Sequence, residues 1–198
     1  QGATLVVGAP VRLNSSLHIG AIILSPSGTV DVYTKHRLGA FPASAMCDSC
    51  DGINVPPAEA TVFQPGNHNP LIRSGDTIAA LAVCADIGNA GHPQRGAEQG
   101  ANTYLASMFV IPSDFDGEEA KLKHYAVQHG MMTALANFGC PSGGLRSAGR
   151  SSIWSESGEL LVQLSDVGSG IAVVSETPHG RSTFVKMLER SRLTRNPL

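Results

Sequence analysis

An α/β or α+β layered fold is predicted for this chain of 198 residues, on three observations. Ile78-Ala79-Ala80-Leu81-Ala82-Val83-Cys84-Ala85 is a nearly unbroken run of small apolar residues, the pattern of a strand covered on both faces. A short helical signal and a second strand-like run follow it, which makes a βαβ unit. Beyond them Leu122, Tyr125, Ala126 and His129 recur at helical spacing, with further short strands after.

Taken in order, residues 2–10 read as a buried strand, with no lead-in, cap or first helix before it. The sequence is therefore expected to start mid-fold. Residues 17–25 form a second apolar run, Pro26-Ser27-Gly28 a turn, and residues 29–34 alternate valines with polar residues up to Lys35. That is a hairpin ending at a lysine. Residues 40–75 show no sustained period and read as a long excursion, a feature that often carries function. Residues 78–85 are the buried strand, with Cys84 at its C-terminal end. Pro93 suits a first helical position, so a short helix is predicted over 93–100 and a strand over 102–108. Asp116 and Glu119 form a candidate capping box for the next helix, which Gly130 would end. Short strands are predicted over 131–136, 150–154, 159–164 and 170–174, with a Glu156-Ser157-Gly158 turn. A last helix is expected over 181–190, and 191–198 as a loose tail.

Lys and Arg total 14 against 16 Asp and Glu, a net charge of −2. No basic surplus is available for a nucleic-acid backbone or an anionic membrane. A small-molecule partner is expected instead. No apolar run nears the roughly 18 residues of a membrane span, and no signal peptide is evident, so a soluble cytoplasmic protein is expected. The four cysteines, Cys47, Cys50, Cys84 and Cys140, are too few for a disulfide framework at this size.

Two residues draw attention on chemical grounds. Cys84 ends a buried strand just before a loop and helix, where open α/β sheets place their ligands. A nearby cation would favour its thiolate, although buried cysteines are often inert packing. Lys35 ends a strand too, and an ammonium there can stabilise a thiolate or an oxyanion. Most strand-end lysines are simply solvated.

Three strings place these two residues in a known pattern: Val32-Tyr33-Thr34-Lys35-His36-Arg37-Leu38, then Glu59-Ala60-Thr61-Val62-Phe63-Gln64-Pro65-Gly66, then Leu81-Ala82-Val83-Cys84-Ala85-Asp86. Their order and spacing resemble the nitrilase, or carbon–nitrogen hydrolase, superfamily. The resemblance extends through Val7-Gly8-Ala9-Pro10, Asn14-Ser15-Ser16, Gln99-Gly100-Ala101-Asn102, Ala136-Asn137 and Gly149-Arg150-Ser151-Ser152-Ile153. Ser157-Gly158 stands where the family usually has Pro-x-Gly. About the whole chain to residue 180 is covered.

The resemblance implies a four-layer α-β-β-α sandwich lacking its first strands and helices, with a hydrolase domain over 1–190. It implies thiolate attack by Cys84 on an amide, N-carbamoyl or, less readily, nitrile carbon, giving a thioester that water hydrolyses. The oxyanion donors it assigns are the Lys35 ammonium and the Ala85 backbone N–H, and Glu59 would orient the lysine. The family's general-base glutamate lies on an earlier strand, and no residue here fills that place. Asp86 either meets substrate or braces the loop, and His92 and the Asp114-Phe115-Asp116 segment are expected to line the pocket. No metal or organic cofactor is implied, and a homo-oligomer is expected.

Two other classes stay open. A catalytically silent homologue that binds a ligand or regulates a partner is favoured by the missing base. A zinc or redox protein using Cys47-Asp48-Ser49-Cys50 would need further ligands, with His68 a candidate contributor.

Overall fold

A computed structural model describes residues 2–40, 58–142 and 144–188. The predicted Cys47–Cys50 pair and the 191–198 tail lie outside the described residues. Two sheets and two helices organise most of the rest. The first sheet is an antiparallel meander of β1 (Leu5–Leu13), β2 (Ser16–Leu24) and β3 (Val30–Thr34). Asn14, at φ 55°, takes the left-handed conformation in the two-residue loop between β1 and β2. Asparagine tolerates that region better than most residues.

The second sheet has six strands in the order β4 (Ile72–Ser74), β5 (Thr77–Val83), β6 (Thr103–Met108), β7 (Met132–Asn137), β8 (Ser152–Trp154) and β9 (Leu160–Gln163). β5, β6 and β7 are parallel. Their crossovers are α1 (Gly91–Glu98) and α2 (Phe115–His129). The helix α2 begins one residue after Asp114 and has no side-chain cap, so the expected Asp116–Glu119 capping box does not form. Gly130, at φ 61°, ends α2 as expected.

Side-chain alternation along β5 explains its apolar run. Ala80 and Ala82 face a core built with Tyr104, Ala106, Leu135 and the α2 residues Leu122 and Tyr125. Leu81 and Val83 face the opposite way, against Ala21, Ile23 and Tyr33 of the first sheet. The strand is thus buried on both faces, between a helical layer and a second sheet. The described residues form the layers β-β-α of the expected sandwich.

The C-terminal segment corrects one expectation. Residues 180–188 do not form a helix: β11 (Gly180–Leu188) pairs antiparallel with β10 (Ser169–Thr177). A Pro178-His179 loop turns the chain, with Gly180 at φ 114°. Thr183, Phe184 and Val185 favour a pleated surface, and a partner strand beside them satisfies the backbone. The excursion over 40–75 likewise contains structure that periodicity does not show, a 3₁₀ turn at Glu59–Thr61 and the edge strand β4.

Candidate active site

Parallel strands end together, so the C-terminal ends of β5 and β6 open onto one side of the sheet. A cavity of about 610 Å³ lies there, lined among others by Lys35, Glu59, Cys84, Ala85, Ser107 and Glu118. Four residues separated in sequence by up to 50 positions, Lys35, Glu59, Cys84 and Ala85, therefore share one space.

Cys84 starts a 3₁₀ turn (Cys84–Gly88) directly after β5 and has φ 50°. A non-glycine residue in the left-handed region is strained, and such strain concentrates at functional sites. Burial pushes its thiol pKa up; the Lys35 charge pulls it down, the Glu59 charge raises it, and the Ala85 backbone N–H lowers it. Burial wins, so the resting group at neutral pH is a thiol.

Lys35 is 1% exposed. A buried ammonium needs a partner, and Glu59 supplies it with both carboxylate oxygens 2.7 Å from Nζ. Glu59 is fixed in turn: its Oε2 accepts the Gly39 N–H at 2.7 Å, and its own N–H donates to the Gly39 carbonyl at 3.0 Å. The Pro65-Gly66 segment holds the lysine's backbone, with the Gly66 N–H donating to the Lys35 carbonyl at 2.7 Å. Any Cβ on Gly66 would run into the Thr34 side chain. Gly66→Ala is therefore expected to displace the end of β3, lowering the thermal midpoint and any Lys35-dependent reactivity together. A variant indistinguishable from wild type in both measurements would show that the segment yields freely.

Two expected substrate contacts are placed elsewhere. Asp86 and His92 are 0% and 1% exposed, and neither lines the cavity. Tyr33 donates its hydroxyl to Asp86 Oδ2 at 2.5 Å, His92 Nε2 lies 3.0 Å from the same hydroxyl, and His92 Nδ1 lies 2.9 Å from the Tyr104 hydroxyl. Tyr33 has one proton to give, so His92 must donate from Nε2 and accept at Nδ1, which fixes a neutral tautomer. Of the acidic segment expected at the pocket, Asp114 lines it and Asp116 does not.

Burial depresses the His92 pKa from 6.5 to about 4, with Asp86 opposing and the charges of His36 and Arg95 adding to the fall. His36 is lowered in the same direction, again chiefly by burial. The unfolded chain thus binds the extra proton between pH 6.5 and 4, so stability is full above that window and falls as pH drops through it. For His92 the loss reaches ~3 kcal/mol. Urea unfolding at pH 7.5, 5.5 and 4.5 should show this slope, and His92→Gln should flatten it. An unchanged slope in the variant would place the acid sensitivity in other groups.

Sequence reading missed Tyr33, Tyr104, Glu118 and Lys121. Glu118 and Lys121 pair at 2.8 Å on the cavity wall. Their spacing from Asp114, four and seven residues, is the one signal that sets the three on a common helical face.

No curated protein matches the chain. Solved structures do. One is the amidase from Nesterenkonia sp. AN1 as a variant carrying the product of acrylamide Michael addition at its active-site cysteine, 23% identical, with a TM-score of 0.68 over 95% of this chain and 64% of that one. Another is a variant of the same amidase in complex with butyramide, also 23% identical, with a TM-score of 0.67 over 94% and 62%. The chain thus spans less than two thirds of the length of these relatives, and the likeness establishes the fold. The carbon-nitrogen hydrolase family model matches residues 1–178, nine-tenths of the sequence and all four cavity residues, and the chain belongs to that family.

Proposed function

We propose that the chain carries the thiol centre of a hydrolase for small amides or N-carbamoyl compounds. The observation that supports it most directly is the shared cavity of Cys84, the Lys35–Glu59 pair and the Ala85 N–H. Its volume, about 610 Å³, suits a small molecule. The Cys84 sulfur, once deprotonated, attacks the carbonyl carbon, and the oxyanion forms between the Lys35 ammonium and the Ala85 N–H. Collapse breaks the C–N bond, and the amine leaves with one proton. Water then cleaves the thioester, releasing the acid and returning the thiol. A butyramide complex in a structural relative supports the amide class.

The test is ammonia release from a panel of short amides, N-carbamoyl amines and nitriles, with intact mass measured during turnover. Acyl adducts confined to Cys84 support the reading. A protein that gives neither ammonia nor adduct, yet binds the amides, would be a silent homologue. One feature favours that second reading: burial pushes the Cys84 thiol pKa up, and a base is needed to activate it.

Self-association is proposed as well. β1 exposes Leu5, Val6 and Val7, and the β10–β11 hairpin exposes Ile171, Phe184 and Leu188, apolar surface that a second chain would cover. No helix among the described residues is long and apolar enough to cross a membrane.

A further inference from the structure

Lys35 follows a strand of one sheet and Cys84 a strand of the other, and no ladder hydrogen bonds join the two sheets. Their relative placement rests on the apolar packing of Ala21, Ile23 and Tyr33 against Leu81 and Val83, and on what crosses between them. One side chain makes most of the crossing hydrogen bonds. Asp86 Oδ1 accepts the backbone N–H groups of His36 at 3.0 Å and Arg37 at 2.7 Å, the two residues after Lys35. Its Oδ2 accepts the N–H of Val83 at 3.0 Å, the residue before Cys84, and the hydroxyl of Tyr33, two before Lys35. Among the described residues, the other hydrogen bond between residues 30–39 and 83–88 runs from Arg37 Nη1 to the Gly88 carbonyl.

We propose that Asp86 is a positioning residue that sets the placement of the Lys35 ammonium relative to the Cys84 sulfur, and thereby the reactivity of the thiol. The proposal rests on the reading of Cys84 as nucleophile. A carboxylate offers about four acceptor sites and meets four donors here, so the link is saturated on both sides. The Val83 bond also closes the turn across Cys84, whose φ of 50° needs a constraint to persist. Behind Asp86, Tyr104 and His92 hold the Tyr33 hydroxyl turned toward it. Misplacement of a catalytic group by about 1 Å can cost about 10²-fold in rate, so a buried tie of this kind matters to chemistry as well as to folding.

Asp86→Asn is nearly isosteric, but its amide N–H₂ would face either the Val83 N–H and Tyr33 hydroxyl or the His36 and Arg37 N–H groups. One side of the tie is then lost. The full chain, Asp86→Asn, Lys35→Ala and the double variant are alkylated with iodoacetamide across pH, and the rate at Cys84 is read by peptide mass spectrometry, with exposed Cys140 as internal control. Lys35→Ala should raise the apparent thiol pKa. Asp86→Asn should raise it too, slowing labelling several-fold at pH 7.5, and should add nothing further in the Lys35→Ala background.

A wild-type profile for a folded Asp86→Asn, or an effect fully additive with Lys35→Ala, overturns the proposal. If Asp86→Asn fails to fold by circular dichroism, Tyr33→Phe removes one Oδ2 donor and is read in the same way, with a smaller shift. Wild-type Cys84 labelling with no dependence on Lys35 would instead overturn the nucleophile reading, and the proposal with it.

Discussion

Cys84→Ala is expected to abolish amide turnover and to remove every covalent adduct, with little loss of stability. The thiol is the attacking atom in the proposed reaction, and removing a nucleophile can cost ~10⁶-fold in kcat. The substitution deletes one sulfur from a partly buried position lining the cavity, so the fold should tolerate it. Binding of unreacted amide should survive, because the Lys35 ammonium and Ala85 N–H remain. The measurement is ammonia release beside calorimetric titration with butyramide. Residual turnover above about one part in a thousand of wild type would assign the chemistry to another group.

Lys35→Ala is expected to lower kcat/KM by about 10²–10³-fold, the scale of losing one oxyanion donor. The loss should fall mainly on kcat, because the charge it stabilises develops after substrate binds. A second effect comes with it. Glu59 would keep its Gly39 contact but lose its cation, leaving a partly buried carboxylate beside Cys84. Its charge already raises the thiol pKa, so removing the opposing cation raises it further. The pH–rate profile should therefore shift to higher pH. Lys35→Ala with Glu59→Gln should recover part of that shift and none of the lost oxyanion stabilisation. A Lys35→Ala enzyme whose profile stays in place, with only KM raised, would show that the lysine binds substrate and does not act on the transition state.

Periodicity and turn chemistry made most of the fold legible. The unbroken apolar run at 78–85 required cover on both faces, and the structure supplies it from a sheet and a helical layer. Helix α2 was visible because its buried residues, Leu122, Tyr125 and Ala126, repeat at helical spacing. Residues 181–188 were less determinate. Eight residues of mixed propensity become a strand because β10 lies beside them, a fact set by chain reversal at Gly180 and not by local preference.

The site divides in the same way. Sequence by itself determined which residue types stand at the strand ends, Lys35 after β3 and Cys84 after β5, and motif order nominated Glu59 and Ala85 to join them. Depth was decided only by the tertiary structure. Asp86, two residues past Cys84, read equally as substrate contact or brace, and His92 read as pocket lining. Stacking two sheets put both in the interior, where a carboxylate must collect donors and an imidazole must stay neutral. Which groups lose water on folding depends on contacts between residues distant in sequence, such as Tyr33 with Asp86, and no local pattern encodes them.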